Sequence, residues 1–424
     1  MKRALKFNNQ LLFDIQIAVY IVALVYSVFA LSLAMLSMFL VTTLFEFEIS
    51  KSKFDFRINP KLGTHLKGFL KRPDYWSITL IFWLTLISGI NSADLGNWYH
   101  HLELKLPFLI LPFVFYCRPA LDKESLYRWI RFFILFMALS SLSVLFNYFS
   151  NYDQITLLIG QGHPVPTPTS HIRFSLFLAL AAVCSTILFI SPLADRGKNY
   201  WWIIINVYFF VVLHLLAVRS GIAVMYLAYS ALIVVQIFVR RKSLSTVVLA
   251  LGIIIAPFLA YQTIPSFHNK VRYTLWDIGK FNQKDARNYS DSGRMYSIIA
   301  GIDIFKQHPI LGTGIGDLKS ACTVEYERMF NDTPKVVKYP HNQFVYFLAG
   351  TGILGFLFFL VAILTPFFYQ KNYRHPMLFV LSVIVFSSFL VENTIERSNG
   401  IGFYLLFLLL ILNHIRYRHI NEAQ

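Results

Sequence analysis

Long apolar runs separated by short polar clusters dominate the chain from residue 11 to residue 415. A helix needs about 20 such residues to cross a hydrocarbon core roughly 30 Å thick. The runs fall at roughly 11–27, 29–47, 75–92, 104–117, 126–146, 170–191, 200–217, 221–239, 244–262, 343–369, 377–391 and 401–415, which predicts about twelve transmembrane helices. The first two form one stretch too long for a single crossing, so a break is placed near Ser27. Between the ninth and tenth runs lies a segment of about 80 residues, 263–342. In it, Ser290, Asp291 and Ser292 precede an apolar-periodic stretch, Met295 to Phe305, and read as its cap. His308 and Pro309 end that helix, a glycine turn follows over 311–316, and Asp317 to Phe330 reads as a second amphipathic helix.

The expected fold class is therefore all-α and polytopic. Residues 1–262 carry nine spans, 263–342 a large helical loop, and 343–424 three spans and a tail. No internal repeat divides the chain into two homologous halves.

Composition agrees. The chain is 56% hydrophobic and only 14% charged, where soluble domains carry about a quarter, which excludes a multidomain soluble protein. The net charge of +16 is no argument for nucleic acid, because it sorts by loop. With the N-terminus inside, twenty-one Lys and Arg lie on the inner side, among them Lys2, Arg3 and Lys6. The short outer loops hold only Arg219 and Arg397, with Lys105 and Arg173 at span edges. This bias places both termini inside. The 263–342 segment, with 11 Lys+Arg and 8 Asp+Glu, does not contradict it, since long loops translocate regardless of charge. Asp14 and the lack of a small-residue cleavage site argue against a removable signal peptide. Cys117, Cys184 and Cys322 form neither a disulfide framework nor a zinc motif.

Ionisable residues are scarce within the spans, and polar ones gather at their outer ends. That favours a site at the outer membrane–water boundary over a proton or ion pathway at depth. Arg219 sits on a tight turn between spans seven and eight, where a snorkelling arginine and a phosphate-directed fork are both reasonable. Arg294, in the first turn of a loop helix, either pairs with Asp291 three residues earlier or contributes to an anion site. His341, followed by Asn342, stands where the loop re-enters the membrane, in reach of water as a base. His171 and Arg173 open span six, and Glu392, Glu396 and Arg397 occupy the short loop before span twelve. All of these are candidates for the same mouth. Gly350, Gly352 and Gly355 read as helix–helix contacts. Glu325 and Glu327 splay apart on a helix, and no metal-ligand spacing occurs among the outer residues, so no metal or cofactor is expected.

Val218-Arg219-Ser220-Gly221, Gly293-Arg294 before a helix, and the run from His308 to Gly316 resemble the O-antigen ligase/polymerase superfamily. His341-Asn342, nine residues, Gly352, two residues and Gly355 resemble a pattern of its ligase branch. The resemblance runs from about residue 170 to 400, and the N-terminal spans match only in hydropathy. It implies a metal-independent glycosyltransferase of the bacterial inner membrane, with its active site facing the periplasm. The donor would be a glycan on undecaprenyl diphosphate and the acceptor a lipid A–core sugar. It implies Arg219 and Arg294 on the diphosphate and His341 as base, with Arg173, His171, Asn342 and Arg397 lining the substrate site. An O-antigen polymerase is the nearest alternative. Neither arginine has a glycine eleven residues later, a spacing of polymerase loops, which favours the ligase. A protein O-oligosaccharyltransferase and a lipid-linked glycan flippase remain the other readings.

Overall fold

The computed structural model describes residues 7–50, 53–190, 200–240, 244–281, 290–331 and 337–422. Lys2, Arg3, Lys6, Lys51, Arg196, Lys198, Arg241 and Lys242 of the inner-side charge count lie outside the described residues. The helices are α1 (Asn9–Tyr26), α2 (Val28–Leu40), α3 (Leu62–Leu70), α4 (Pro73–Trp76), α5 (Leu80–Ile87), α6 (Leu95–Cys117), α7 (Lys123–Ser150), α8 (Tyr152–Gly160) and α9 (His171–Phe189). They continue as α10 (Tyr200–Leu216), α11 (Arg219–Arg240), α12 (Leu244–Thr263), α13 (Pro265–Gly279), α14 (Ser290–Gln307), α15 (Leu318–Phe330), α16 (Gln343–Phe368), α17 (Pro376–Val391) and α18 (Ser398–Glu422). The break near Ser27 is real. Ser27 is extended and its hydroxyl accepts from the Ala30 backbone N–H, so one residue ends α1 and caps α2.

Seven of the described helices are long and apolar enough to cross a membrane, and α2, α10 and α17 are shorter apolar helices. The chain is thus a predominantly helical, polytopic membrane protein. Two expectations need correction. The apolar run 29–47 is not one helix: α2 ends at Leu40, and β2 (Phe45–Ser50) pairs antiparallel with β1 (Phe7–Asn8) and β3 (Lys53–Ile58). Apolar and polar residues alternate through Phe45-Glu-Phe-Glu-Ile49, a strand period that a hydropathy window averages away. The run 75–92 is likewise divided, between α4, α5 and two 3₁₀ turns.

In α9 and in an 18-residue stretch of α18, 94% of the residues are buried, so these two helices form the centre of the bundle. α7, α10, α11 and α17 all pack on α9. Gly221 lets α11 approach it closely, since a Cβ there would fall 2.3 Å from Ser175 Cβ.

The outer loop docks through a break in α16. At Gly352 the helix leaves its path, with φ 63° and ψ −169°, a conformation essentially restricted to glycine. The freed backbone pairs with the turn after α14. Thr313 N–H donates to Ala349 O (3.1 Å), Gly314 N–H to Gly350 O (3.0 Å), and Ile353 N–H to Pro309 O (2.9 Å). Gly350 and Gly352 therefore face the 309–315 turn, in place of the expected helix–helix contact. Asp317 closes the far side by accepting from the backbone N–H groups of Ala93 and Asp94, both at 2.7 Å.

A Cβ on Gly352 would meet the Ile310 carbonyl at 2.3 Å, whereas one on Gly252 in α12 meets nothing within 4 Å. Gly352→Ala is expected to destabilise the protein by about 2 kcal/mol or more, and Gly252→Ala to be neutral or to gain up to about 1 kcal/mol. Thermal unfolding of both variants in detergent checks the contrast.

Candidate functional site

Three elements meet at one end of the bundle: the start of α11, the start of α14 and the residues leading into α16. Asp277, fully buried at the end of α13, fixes α14. Its carboxylate accepts from the backbone N–H of Asp291 (2.8 Å), that of Ser292 (3.2 Å) and the Ser292 hydroxyl (2.6 Å). Carboxylates near free N–H groups at a helix start are favourable, and this one aims the first turn of α14 at α11.

That turn joins the two arginines across the chain. Arg219 Nη1 donates to Asp291 Oδ2 and to Thr274 Oγ1 (2.6 Å). Arg294 lies with Nη1 3.8 Å from Asp291 Oδ1 and Nη2 3.9 Å from Glu392 Oε2. Both guanidiniums stay about a quarter exposed, so they are ordered yet reachable. Lys270 of α13 adds a third cation, its ammonium donating to Gly162 O at 2.9 Å. Burial brings the Lys270 ammonium down to about 8; Arg219 adds to this and Asp291 opposes it.

His341 meets the same turn from the other side. Ser297 Oγ donates to Arg294 O (2.6 Å) while it accepts from the His341 backbone N–H (3.1 Å). The same oxygen lies 3.2 Å from His341 Nδ1. With its one hydrogen committed to Arg294, the Ser297 hydroxyl faces Nδ1 as an acceptor, which suits a proton on Nδ1 and basicity on Nε2. Burial pushes the His341 imidazole below its ordinary pKa. Glu392 and the Tyr339 carbonyl oppose the shift, and Arg294 and Lys338 strengthen it. The shift favours the neutral form of the ring.

The structure thus brings Arg219, Arg294 and His341 together. Arg173 is buried near them, with Nη1 3.5 Å from Ser170 Oγ, and its Nε and Nη2 find no hydrogen-bond acceptor among the described residues. Its field includes Glu392 and the exposed Arg397. His171 starts the same helix, within the field of Arg294, Lys270 and Glu392. Asn342 is committed elsewhere: its oxygen caps α16 at Phe344 and Val345, and its amide nitrogen donates to Leu390 O (3.0 Å).

Glu396 departs from the expected mouth. It accepts from the fully buried Lys105 (2.7 Å) and from Gln343 (2.9 Å), and lies 3.5 Å from His101. Burial alone would raise the Glu396 carboxyl, but Lys105 and His101 hold it down at about 2, a buried ion pair bracing α6 against the turn before α18. Glu325 is buried and accepts from Gln307 (2.6 Å), while Glu327 is exposed, so the two do not converge. Among the described residues, no group of three or more His, Cys, Asp or Glu is placed to hold a metal ion.

Sequence reading missed Lys270, Asp277 and Ser297. Helix α13 was not anticipated, yet its buried Ser266, Lys270 and Asp277 recur at 4 and 11 residues, a helical period written in polar side chains. Residues 204–360 match the family model described as O-Antigen ligase, a stretch from α10 to α16 that holds Arg219, Arg294 and His341. No curated protein matches the chain.

Two substitutions set opposite signs on His341. Arg294→Ala removes a cation and is expected to raise its pKa; Glu392→Gln removes an anion and is expected to lower it. The pH dependence of diethyl pyrocarbonate modification, followed on the His341 peptide by mass spectrometry, reads both shifts.

Proposed function

We propose, on the premise that this chain belongs to the O-antigen ligase superfamily, that it transfers a glycan from undecaprenyl diphosphate to a lipid A–core sugar hydroxyl. The family supplies the broad class, a membrane enzyme acting on a lipid-linked glycan. The observation that carries the finer reading is the union of two ordered guanidiniums with a neutral, oriented imidazole. The first two suit a diphosphate; the third suits an acceptor hydroxyl.

The acceptor oxygen attacks the anomeric carbon as the bond to the diphosphate oxygen breaks. The acceptor proton passes to His341 Nε2, and the electron pair leaves on the diphosphate. A neutral histidine is suited to this, since general-base help typically contributes about 10²–10⁴-fold. Arg219 and Arg294 neutralise the charge that develops on the leaving group, and their forks match phosphate oxygens bidentately. Asp291 contacts both arginines, so donor binding would displace its carboxylate from them. Lys270 supplies further positive field. One direct displacement inverts the anomeric carbon and leaves no sugar on the protein. The bulky glycan stays on the periplasmic side, so no transport step enters. Activity without any transmembrane gradient distinguishes this enzyme from a flippase, and competition between lipid A–core and a second glycan lipid distinguishes ligase from polymerase.

Purified protein reconstituted with undecaprenyl-diphosphate glycan and lipid A–core tests the roles. His341→Ala is expected to insert normally and lose transfer. Ser297→Ala, which loses the acceptor for Nδ1, should slow it by about 10- to 100-fold. Arg→Ala at 219 or 294 should slow donor cleavage by roughly 10²-fold or more, and Arg→Lys, which keeps charge without the fork, by less. These losses should appear when donor is varied and leave acceptor dependence unchanged. Activity is also expected to persist in EDTA.

A further inference from the structure

The far ends of the same helices enclose a second cationic site. Gln236 stands 17 residues beyond Arg219 on α11, roughly 26 Å along the helix axis, close to the thickness of a hydrocarbon core. There a cavity of about 460 Å³ lies between α7, α9, α11 and α18 and the residues entering α17. Lys123, Arg374 and Arg418 line it together with His375, His414 and Gln236. No Asp or Glu is among its described lining residues. Two carboxylates close in sequence to its basic lining have partners of their own: Asp122 caps α7 at Ser125 N–H (2.9 Å), and Glu422 meets Arg418 at the exposed rim (3.2 Å).

Two buried nitrogens in this cavity, Gln236 Nε2 and His375 Nδ1, have no hydrogen-bond partner among the described residues. Gln236 is 4% exposed, and an amide donor held that deeply without an acceptor is costly. His375 reports the local field. Burial pushes it down to about 3, and His414, Arg418 and Lys123 all act in the same direction with no anion opposing them. The remaining wall is apolar, formed by side chains such as Ile187, Leu232 and Met377. Cations and an orphan amide donor at one side with hydrocarbon at the other match a molecule with a phosphate and acyl chains.

We propose that this cavity binds the phosphodiester headgroup of an anionic phospholipid, at the opposite ends of the helices from the His341 cleft. Lys123, Arg374 and Arg418 surround the phosphate, Gln236 donates to it, and an acyl chain covers Ile187 and Leu232. Basic pockets between membrane helices recognise anionic headgroups in this way. The site is separate from the transfer chemistry, and its existence does not depend on the reading of that chemistry.

Native mass spectrometry of the full chain, titrated with phosphatidylglycerol, chain-matched phosphatidylcholine or inorganic phosphate, tests the proposal. Wild type is expected to retain phosphatidylglycerol in preference to phosphatidylcholine, and millimolar phosphate is expected not to displace it. The Lys123→Ala, Arg374→Ala double variant should bind phosphatidylglycerol about 30-fold more weakly, at roughly fivefold per cation lost. Lys67→Ala, Lys71→Ala, which removes two cations of the same end outside the cavity, should keep the preference. Unaltered melting of both variants shows that the fold survives. Equal binding of the two lipids, equal loss in the two double variants, or displacement by phosphate would each overturn the assignment.

Discussion

A helix that ran unbroken through residue 352 would have no free backbone to offer the turn after α14. The break at Gly352 exposes the carbonyls of Ala349 and Gly350 and the N–H of Ile353, and residues 309–314 satisfy all three. Unpaired backbone groups buried away from water are costly, so break and turn support each other. The pairing holds the C-terminal end of α14 against α16. With Asp277 holding the other end of α14, Ser297 reaches His341, Arg294 reaches Glu392, and Asp291 reaches Arg219. The cleft is a consequence of how a loop is anchored.

Charge placement then gives the cleft its character. Arg219, Lys270, Arg294 and Lys338 approach one another with Asp277, Asp291 and Glu392 between them. Asp277 is fully buried and consumed by the start of α14, so it organises the site without neutralising its open side. Asp291 and Glu392 are the replaceable anions. Excess positive charge around partly exposed guanidiniums favours a ligand carrying more than one negative charge.

Much of this was legible in the chain. Hydropathy located a helix under nearly every predicted span, and Ser27 and His308–Pro309 marked real ends. The three strands escaped because their alternation lies inside and beside an apolar run. Arg219, Arg294 and His341 stood out by position and were expected at one mouth, but the contacts that join them were not legible, because they depend on Asp277 and the Gly352 break acting over long sequence separations. Lys105 read as a span-edge residue and proved fully buried, since its partner Glu396 lies 291 residues away. Gly350 and Gly352 were recognised as close contacts, but the partner is a loop turn, which spacing within one helix cannot reveal.

The central claim is that Arg219 and Arg294 together form the diphosphate site, and binding of the leaving group tests it without requiring turnover. The measurement is the affinity of purified protein for undecaprenyl diphosphate against undecaprenyl monophosphate, by microscale thermophoresis, in wild type, Arg219→Ala and Arg294→Ala. A charge-assisted hydrogen bond is worth about 1.5–3 kcal/mol, so each substitution is predicted to weaken diphosphate binding by roughly 10- to 150-fold. Monophosphate should bind more weakly than diphosphate to wild type and lose less in each variant. Equal affinity of wild type and both variants for undecaprenyl diphosphate would contradict the account.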